Sequence, residues 1–244
     1  MERDEYAIMY RVEDRHWWYA GLRAMLLRNF SEFPAGGERR KLLDVGCGTG
    51  ANLTAFRNLA SCHGIDFSND AVKFCRKRGE LRTATASALE LPFSDGAFDV
   101  VISCDVLCHR SIADKMVPMA EMVRVLKPGG LLVLNLPAYQ WLHSSHDVHV
   151  QTDHRFGRAE VLRMMREAGL RSNRAEFWNS VLFPVILPTR LWRKLRPLPA
   201  SDLDEGSGEG LSFLFARMLG VERGLMRFVG MPFGLSIMVA GRKA

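Results

Sequence analysis

Residues 42–50 read LLDVGCGTG, an apolar run closed by an acid and followed by glycines at 46, 48 and 50. Glycine at three alternate positions lets a chain bend tightly or lets another group approach its backbone. The stretch therefore reads as a buried strand ending in a loop of the kind that holds nucleotide-like ligands.

Further short apolar runs bounded by turn residues follow it: HGID (63–66), FDVVIS (98–103) and GLLVLNL (130–136), alongside KLLDV (41–45). They suit buried parallel strands. Between them, Ala71, Phe74, Cys75 and Arg78 recur at helical spacing, as do Met116, Met119, Met122, Val123 and Leu126 ahead of an expected turn at KPGG, 127–130. Strands alternating with helices mean an α/β sheet with crossovers.

Outside this core, residues 1–30 place Trp17, Trp18 and Tyr19 beside Leu22, Leu26 and Leu27, a pattern of one or two amphipathic helices. SDLDEGSGEG (201–210) is too polar to pack and reads as a mobile loop, LSFLFARMLGVERGLMRFVG (211–230) returns to helical amphipathicity, and GLSIMVAGRK (234–243) is a closing apolar strand. The expected organisation is a single domain over 1–244: a helical cap (1–35), a core (40–170), an apolar insertion or lid (180–232) and a last strand (234–243).

The chain of 244 residues is 48% hydrophobic and 25% charged, as in ordinary globular proteins. A net charge of +6 without a long basic block permits anionic partners but does not indicate nucleic acid. Five cysteines without framework spacing, and an N-terminus lacking a secretory layout, point to the cytoplasm. The run VLFPVILPTRLW (181–192) is interrupted by Pro184 and Pro188 and is shorter than the ~20 residues a spanning helix needs.

Two cofactors compete for the glycine loop. Gly46, Gly48 and Ala51 satisfy the dinucleotide pattern, with Asp66 placed where a ribose-binding acid belongs, so an NAD-dependent oxidoreductase is one reading. Asp44, however, sits directly before the turn and would repel a pyrophosphate, whereas it would attract the ammonium of S-adenosylmethionine. Asp66 serves a ribose under either reading.

Taken in order, LLDVGCGTG (42–50), GIDFS (64–68), LPFSDGAFDVVIS (91–103), DVLCH (105–109) and VLKPGGLLVLNLP (125–137) resemble the class I S-adenosylmethionine-dependent methyltransferases, particularly their bacterial small-molecule branch. The resemblance spans roughly 40–170, and DRHWWYAGLR and LPAYQWLHSSHD…HRFGRAEVL are similar to a subgroup. It implies a Rossmann-like, seven-stranded, mostly parallel sheet with an antiparallel last strand and helices on both faces. It also implies that Gly46, Cys47, Gly48 and Gly50 wall the donor's aminoacid part, that Asp44 lies against it and that Asp66 holds its ribose. Phe67, Ser87, Ala88 and Leu89 would border the adenine, and Cys104 would touch the methionine moiety. Many relatives have aspartate where this chain has Ser87, so adenine recognition here would rest on backbone groups.

Methyl transfer needs alignment and, for a protonated nucleophile, a base. Histidine titrates near working pH, which makes His146, then His154 and His109, the candidate bases. The histidine-rich stretch 141–157 matches no strict metal-ligand spacing, so no metal is expected. The family's base-methylating motif of Asn or Asp, Pro, Pro and an aromatic is absent after the fourth strand, where the chain reads Cys104-Asp105-Val106-Leu107. Phe177, Trp178, Leu182, Phe183, Val185, Ile186, Leu187 and Trp192, edged by Arg193, Lys194 and Arg196, form an apolar surface with cations at its rim. It reads as a lid over a small apolar or lipid-linked acceptor, or as a contact with the inner membrane face through 180–230. An S-adenosylmethionine-binding regulatory protein without turnover is the remaining alternative.

Overall fold

The computed structural model describes residues 3–33, 39–188, 209–226 and 228–244. The chain opens with α1 (Arg3–Val12) and α2 (Trp17–Ser31). It continues through β1 (Lys41–Val45), α3 (Ala51–Phe56), β2 (Ser61–Asp66), α4 (Asn69–Lys77), β3 (Thr83–Thr85), β4 (Phe98–Cys104), α5 (Met116–Val125) and β5 (Leu126–Pro137). Then come α6 (Ser145–His149), α7 (Arg158–Glu167), β6 (Leu170–Trp178), a helical segment α8 (183–188), α9 (Glu209–Leu225) and β7 (Ser236–Lys243).

The seven strands form one sheet in the order β3-β2-β1-β4-β5-β7-β6. β3, β2, β1, β4 and β5 are parallel, and β7 runs antiparallel to both β5 and β6. The sequence order reverses direction between β1 and β4, and loops leaving the carboxyl ends of those strands open a crevice there. The expected architecture is thus the observed one, including the antiparallel last strand.

Burial on both faces explains the continuous apolar strands. Along the central strands, Leu43, Val45 and Val101 face a core layer completed by Met119 and Met122 of α5 and Val161 and Met165 of α7. Leu42, Val100 and Ile102 face the opposite layer, completed by Leu22 and Leu26 of α2, Phe56 of α3 and Leu219 of α9. Leu26 is fully buried, a burial that contributes about 1.5–3 kcal/mol. α2 begins where the His16 ring accepts a hydrogen bond from Trp18 N at 3.3 Å, and its apolar face then runs into this second layer.

Several local expectations are corrected. KPGG is not a turn between elements: β5 starts at Leu126, which pairs with Phe98, and the ladder then slips at a bulge carrying Gly129 at φ +74° before resuming at Leu131. LRSNRAEFW forms β6, an edge strand, so Phe177 and Trp178 are buried sheet residues rather than part of an apolar surface. Trp178 joins separate pieces: its ring lies 6.0 Å from Trp18, it shares the second core layer with Leu182 and Leu219, and a Cβ at Gly234 would overlap its backbone. The helical reading of 211–230 is met by α9 as far as Leu225; the described residues beyond it, 226 and 228–230, are not helical. Residues 201–208, Trp192, Arg193, Lys194 and Arg196 lie outside the described residues.

Candidate functional site

The glycine loop leaves β1 with Gly46, Gly48 and Gly50 all in the left-handed region, at φ +79°, +54° and +91°. Its glycines also answer to close neighbours. A Cβ at Gly46 would overlap Val106 Cγ2, and one at Gly48 would sit 2.7 Å from Met9 Cε of α1. Gly46 N and Cys47 N both donate to Ile65 O, at 2.8 and 2.9 Å, tying the loop to the end of β2. That end carries Asp66, whose Oδ2 accepts from Gly48 N at 3.0 Å while Oδ1 accepts from Ser68 N at 2.9 Å and Tyr6 Oη at 3.1 Å. Burial raises the Asp66 pKa, and these hydrogen bonds pull it back.

Asp44 is treated differently. It is fully buried and neither carboxylate oxygen makes a hydrogen bond among the described residues. Burial pushes its pKa up to about 7, with the Asn52 side chain working the other way. Glu13 of the segment after α1 is likewise moved to about 7, chiefly by burial, although Arg78 lies 2.8 Å away and Thr49 Oγ1 donates to it.

A cavity of about 780 Å³ opens at the crevice. Of the residues expected at the site, Gly46, Cys47, Gly48, Asp66, Phe67, Ser87, Ala88, Leu89, Cys104 and His109 all line it. Ser87 Oγ accepts from Leu89 N at 3.1 Å, shaping the turn that presents this edge. Asp44 and Gly50 are not on the wall. Asp44 lies behind the loop, and Gly50 begins α3 with its α-carbon packed toward Cys75, whose Sγ would be 3.1 Å from an added Cβ.

The three histidines part company. His109 reaches the cavity, but its Nδ1 accepts from Ser111 N at 3.2 Å and lies 2.8 Å from Ser111 Oγ, and burial lowers its pKa. The lone pair a base would use is therefore already shared. His154 lies off the wall, with Nε2 2.8 Å from Glu160 Oε1 and its ring edge-on to Phe156. The His146 side chain lies outside the described residues.

Other wall residues come from contacts that no local pattern announces. Tyr6, Met9 and Glu13 arrive from the cap, and Trp17, Trp18 and Tyr19 from the start of α2. Asp105, Asp147 and Arg155 arrive from beyond β4 and β5. Arg155 Nε and Nη2 both lie 2.9 Å from Asp147 Oδ1, and its Nη1 donates to Ala138 O at 2.9 Å. Asp147 Oδ2 accepts from Ser144 N at 2.8 Å and Ser144 Oγ at 3.2 Å, which closes the network.

Residues 43–134 match a family model described as a methyltransferase domain. An O-methyltransferase of Penicillium expansum is 34% identical over 110 residues, covering 41% of this chain and 38% of that protein. Ajmaline N-methyltransferase of Rauvolfia serpentina is 34% identical over 116 residues, covering 43% of this chain and 39% of its own length. The chain thus spans about two-fifths of the length of these curated relatives. Geranyl diphosphate C-methyltransferase of Streptomyces coelicolor, solved with S-adenosyl-L-homocysteine, superposes with a TM-score of 0.58 at 18% identity over 91% of this chain and 80% of that one. Sheet order, glycine loop and matched segment agree, and residues 43–134 are similar to the methyltransferase domain of S-adenosylmethionine-dependent enzymes.

Proposed function

We propose that the protein transfers a methyl group from S-adenosylmethionine to a small, largely apolar acceptor held in the same cavity. The observation that carries this reading is the charge around the glycine loop. Asp66 lines the cavity beside it, while the arginine on the wall, Arg155, is spent on Asp147. A pyrophosphate would meet like charge there, and a cationic donor would meet opposite charge.

The residues fit that donor. Gly46 and Gly48 bring bare backbone to the cavity wall on either side of Cys47, and Asp66 Oδ2, with one hydrogen bond made, retains capacity to accept another. Asp66 would hold the ribose, Phe67 and the 87–89 turn would border the adenine, and Cys104 would face the methionine part. The donor supplies a methyl group on a positively charged sulfur, already activated toward attack. The protein's work is alignment and exclusion of water. The far wall, with Trp17, Leu22, Ile112, Val150, Ile186 and Phe215, suits an apolar acceptor of O, N or C type.

Calorimetric titration with S-adenosylmethionine and S-adenosylhomocysteine, with NADH as control, tests the reading. Binding of the adenosyl ligands alone is expected; NADH binding alone would replace the methyltransferase with an oxidoreductase. Bound adenosyl ligand without turnover of any acceptor would favour the regulatory alternative.

Contact with a membrane surface has its own support. Phe213, Leu214, Val221 and Leu225 of α9 and Phe228 and Val229 after it are exposed, although no helix among the described residues is long and apolar enough to cross a membrane. Cosedimentation with phosphatidylglycerol vesicles checks this, with binding expected to weaken when Phe213 and Phe228 become serine.

A further inference from the structure

Among the aspartates gathered around the cavity, the hydrogen-bond inventories differ. Asp66 accepts three bonds and Asp147 is closed by Ser144 and Arg155. Asp44 accepts none but is sealed from the cavity. Among the described residues, Asp105 on the cavity wall has a single side-chain donor, Asn135 Nδ2, at 3.2 Å from Oδ1 and 3.0 Å from Oδ2. A carboxylate offers about four acceptor sites, so Asp105 retains unused acceptor capacity beside the cavity.

Its position is built rather than incidental. Asp105 follows directly on Cys104, the last residue of β4, and takes φ +54°, a conformation costly for a residue other than glycine. Its backbone N donates to Asn135 O at 2.9 Å, so one residue of β5 holds both its backbone and its side chain. Asn135 cannot turn its amide around, because its Oδ1 accepts from Trp178 Nε1 at 2.8 Å and the indole can only donate. The chain Trp178 to Asn135 to Asp105 thus aims a carboxylate at the crevice beside the residue that would face the donor's methionine part.

We propose that Asp105 is the general base for the acceptor, and that the acceptor is a nucleophile bearing a removable proton, a hydroxyl or an N–H group. This rests on the methyltransferase reading above. In the step, the acceptor's lone pair forms the bond to the methyl carbon as the carbon–sulfur bond breaks with its electrons going to sulfur. The acceptor's proton passes to an Asp105 oxygen and leaves to solvent after product release.

The surroundings suit the task. Burial pushes the Asp105 pKa up to about 7, with Asn135 and Arg155 opposing and Asp147 adding to the rise. Tyr19, Cys104 and Cys108 also face it, and each has its own pKa raised by burial. None of the three loses its proton before Asp105 does. A base whose pKa lies near working pH combines availability with driving force.

The test pairs two readouts on the whole chain. Carbon-13 NMR of aspartate-carboxyl-labelled protein, free and saturated with S-adenosylhomocysteine, should show a carboxyl titrating near 7 that vanishes in Asp105→Asn. Transfer of tritiated methyl from S-adenosylmethionine to a panel of phenols, alcohols and primary amines should fall roughly 10²–10⁴-fold in kcat in the same variant. S-adenosylhomocysteine affinity should stay within about twofold, a change worth under ~0.5 kcal/mol. The acid limb of the kcat profile should disappear with the carboxylate, and Asp105→Glu should restore it in part. Turnover and an acid limb that survive Asp105→Asn would overturn this assignment alone, as would a carboxyl that titrates at its ordinary value. Failure of S-adenosylhomocysteine to bind would instead overturn the methyl-donor reading itself. Bound ligand with no turnover of any panel member would overturn the role of a base altogether.

Discussion

The two sides of the cavity handle buried charge in opposite ways. On the glycine-loop side Asp44 lies fully buried with no hydrogen bond among the described residues, and burial raises the Glu13 pKa to about 7 despite its arginine. On the side formed by 138–156, Asp147 and Arg155 are just as buried, but each is satisfied by the other, by Ser144 and by Ala138 O. One side leaves a carboxyl buried without a partner behind the loop; the other pairs its buried charges and uses them to fix the backbone.

The largest effect that would break this contrast concerns pH. A carboxyl moved from 3.8 to about 7 costs on the order of 4 kcal/mol when ionised in the folded chain. Between about pH 4 and 7 the folded form binds more protons than the unfolded one, so stability falls as pH rises through that window and levels off above it. Urea midpoints should therefore drop from pH 5 to pH 8, and Asp44→Asn should lessen the drop. An equal drop in the variant would remove Asp44 as its source.

On the opposite side, Asp147→Ala strands Arg155 and should cost about 3–5 kcal/mol by urea denaturation. Adding Arg155→Met should return much of that loss. Little loss in the single variant would mean that the network is dispensable.

Gly46→Ala asks a smaller price of the loop, about 2–4 kcal/mol, from a left-handed backbone and overlap with Val106. Asp66→Ala should weaken S-adenosylmethionine binding by ~1.5–3 kcal/mol in calorimetry, and unchanged affinity would take Asp66 out of the site. The smallest effect belongs to the insertion. Phe228→Ser, at a side chain 86% exposed, should change the unfolding free energy measured in urea by less than about 0.5 kcal/mol.

This division also explains what could be read from the chain alone. β1, β4, the glycine loop and Asp66 announce themselves through apolar runs and adjacent glycines, all local patterns. β6 did not, because an edge strand reading LRSNRAEFW carries the polar residues that such strands tolerate. Asp105 opens the segment DVLCH (105–109), yet its significance depends on Asn135, 30 residues on, and on Trp178, 43 residues beyond that. Nothing in local spacing reveals such a relay. The ordinary pKa of histidine favours it as a base on sequence alone, whereas the fold raises an aspartate into the same range and ties His109 to Ser111 and His154 to Glu160.

Trp178 sets a condition on how this protein can be recombined with its relatives. Its ring meets α2 through Trp18, its core neighbours include Leu219 of α9, its backbone admits only glycine at 234, and its indole N–H orients Asn135. The stretch between β6 and β7 is therefore not a freely exchangeable module. A chimaera that imports another enzyme's insertion to change its acceptor must import the matching face of α2 as well, or the indole will shift and take Asp105 with it.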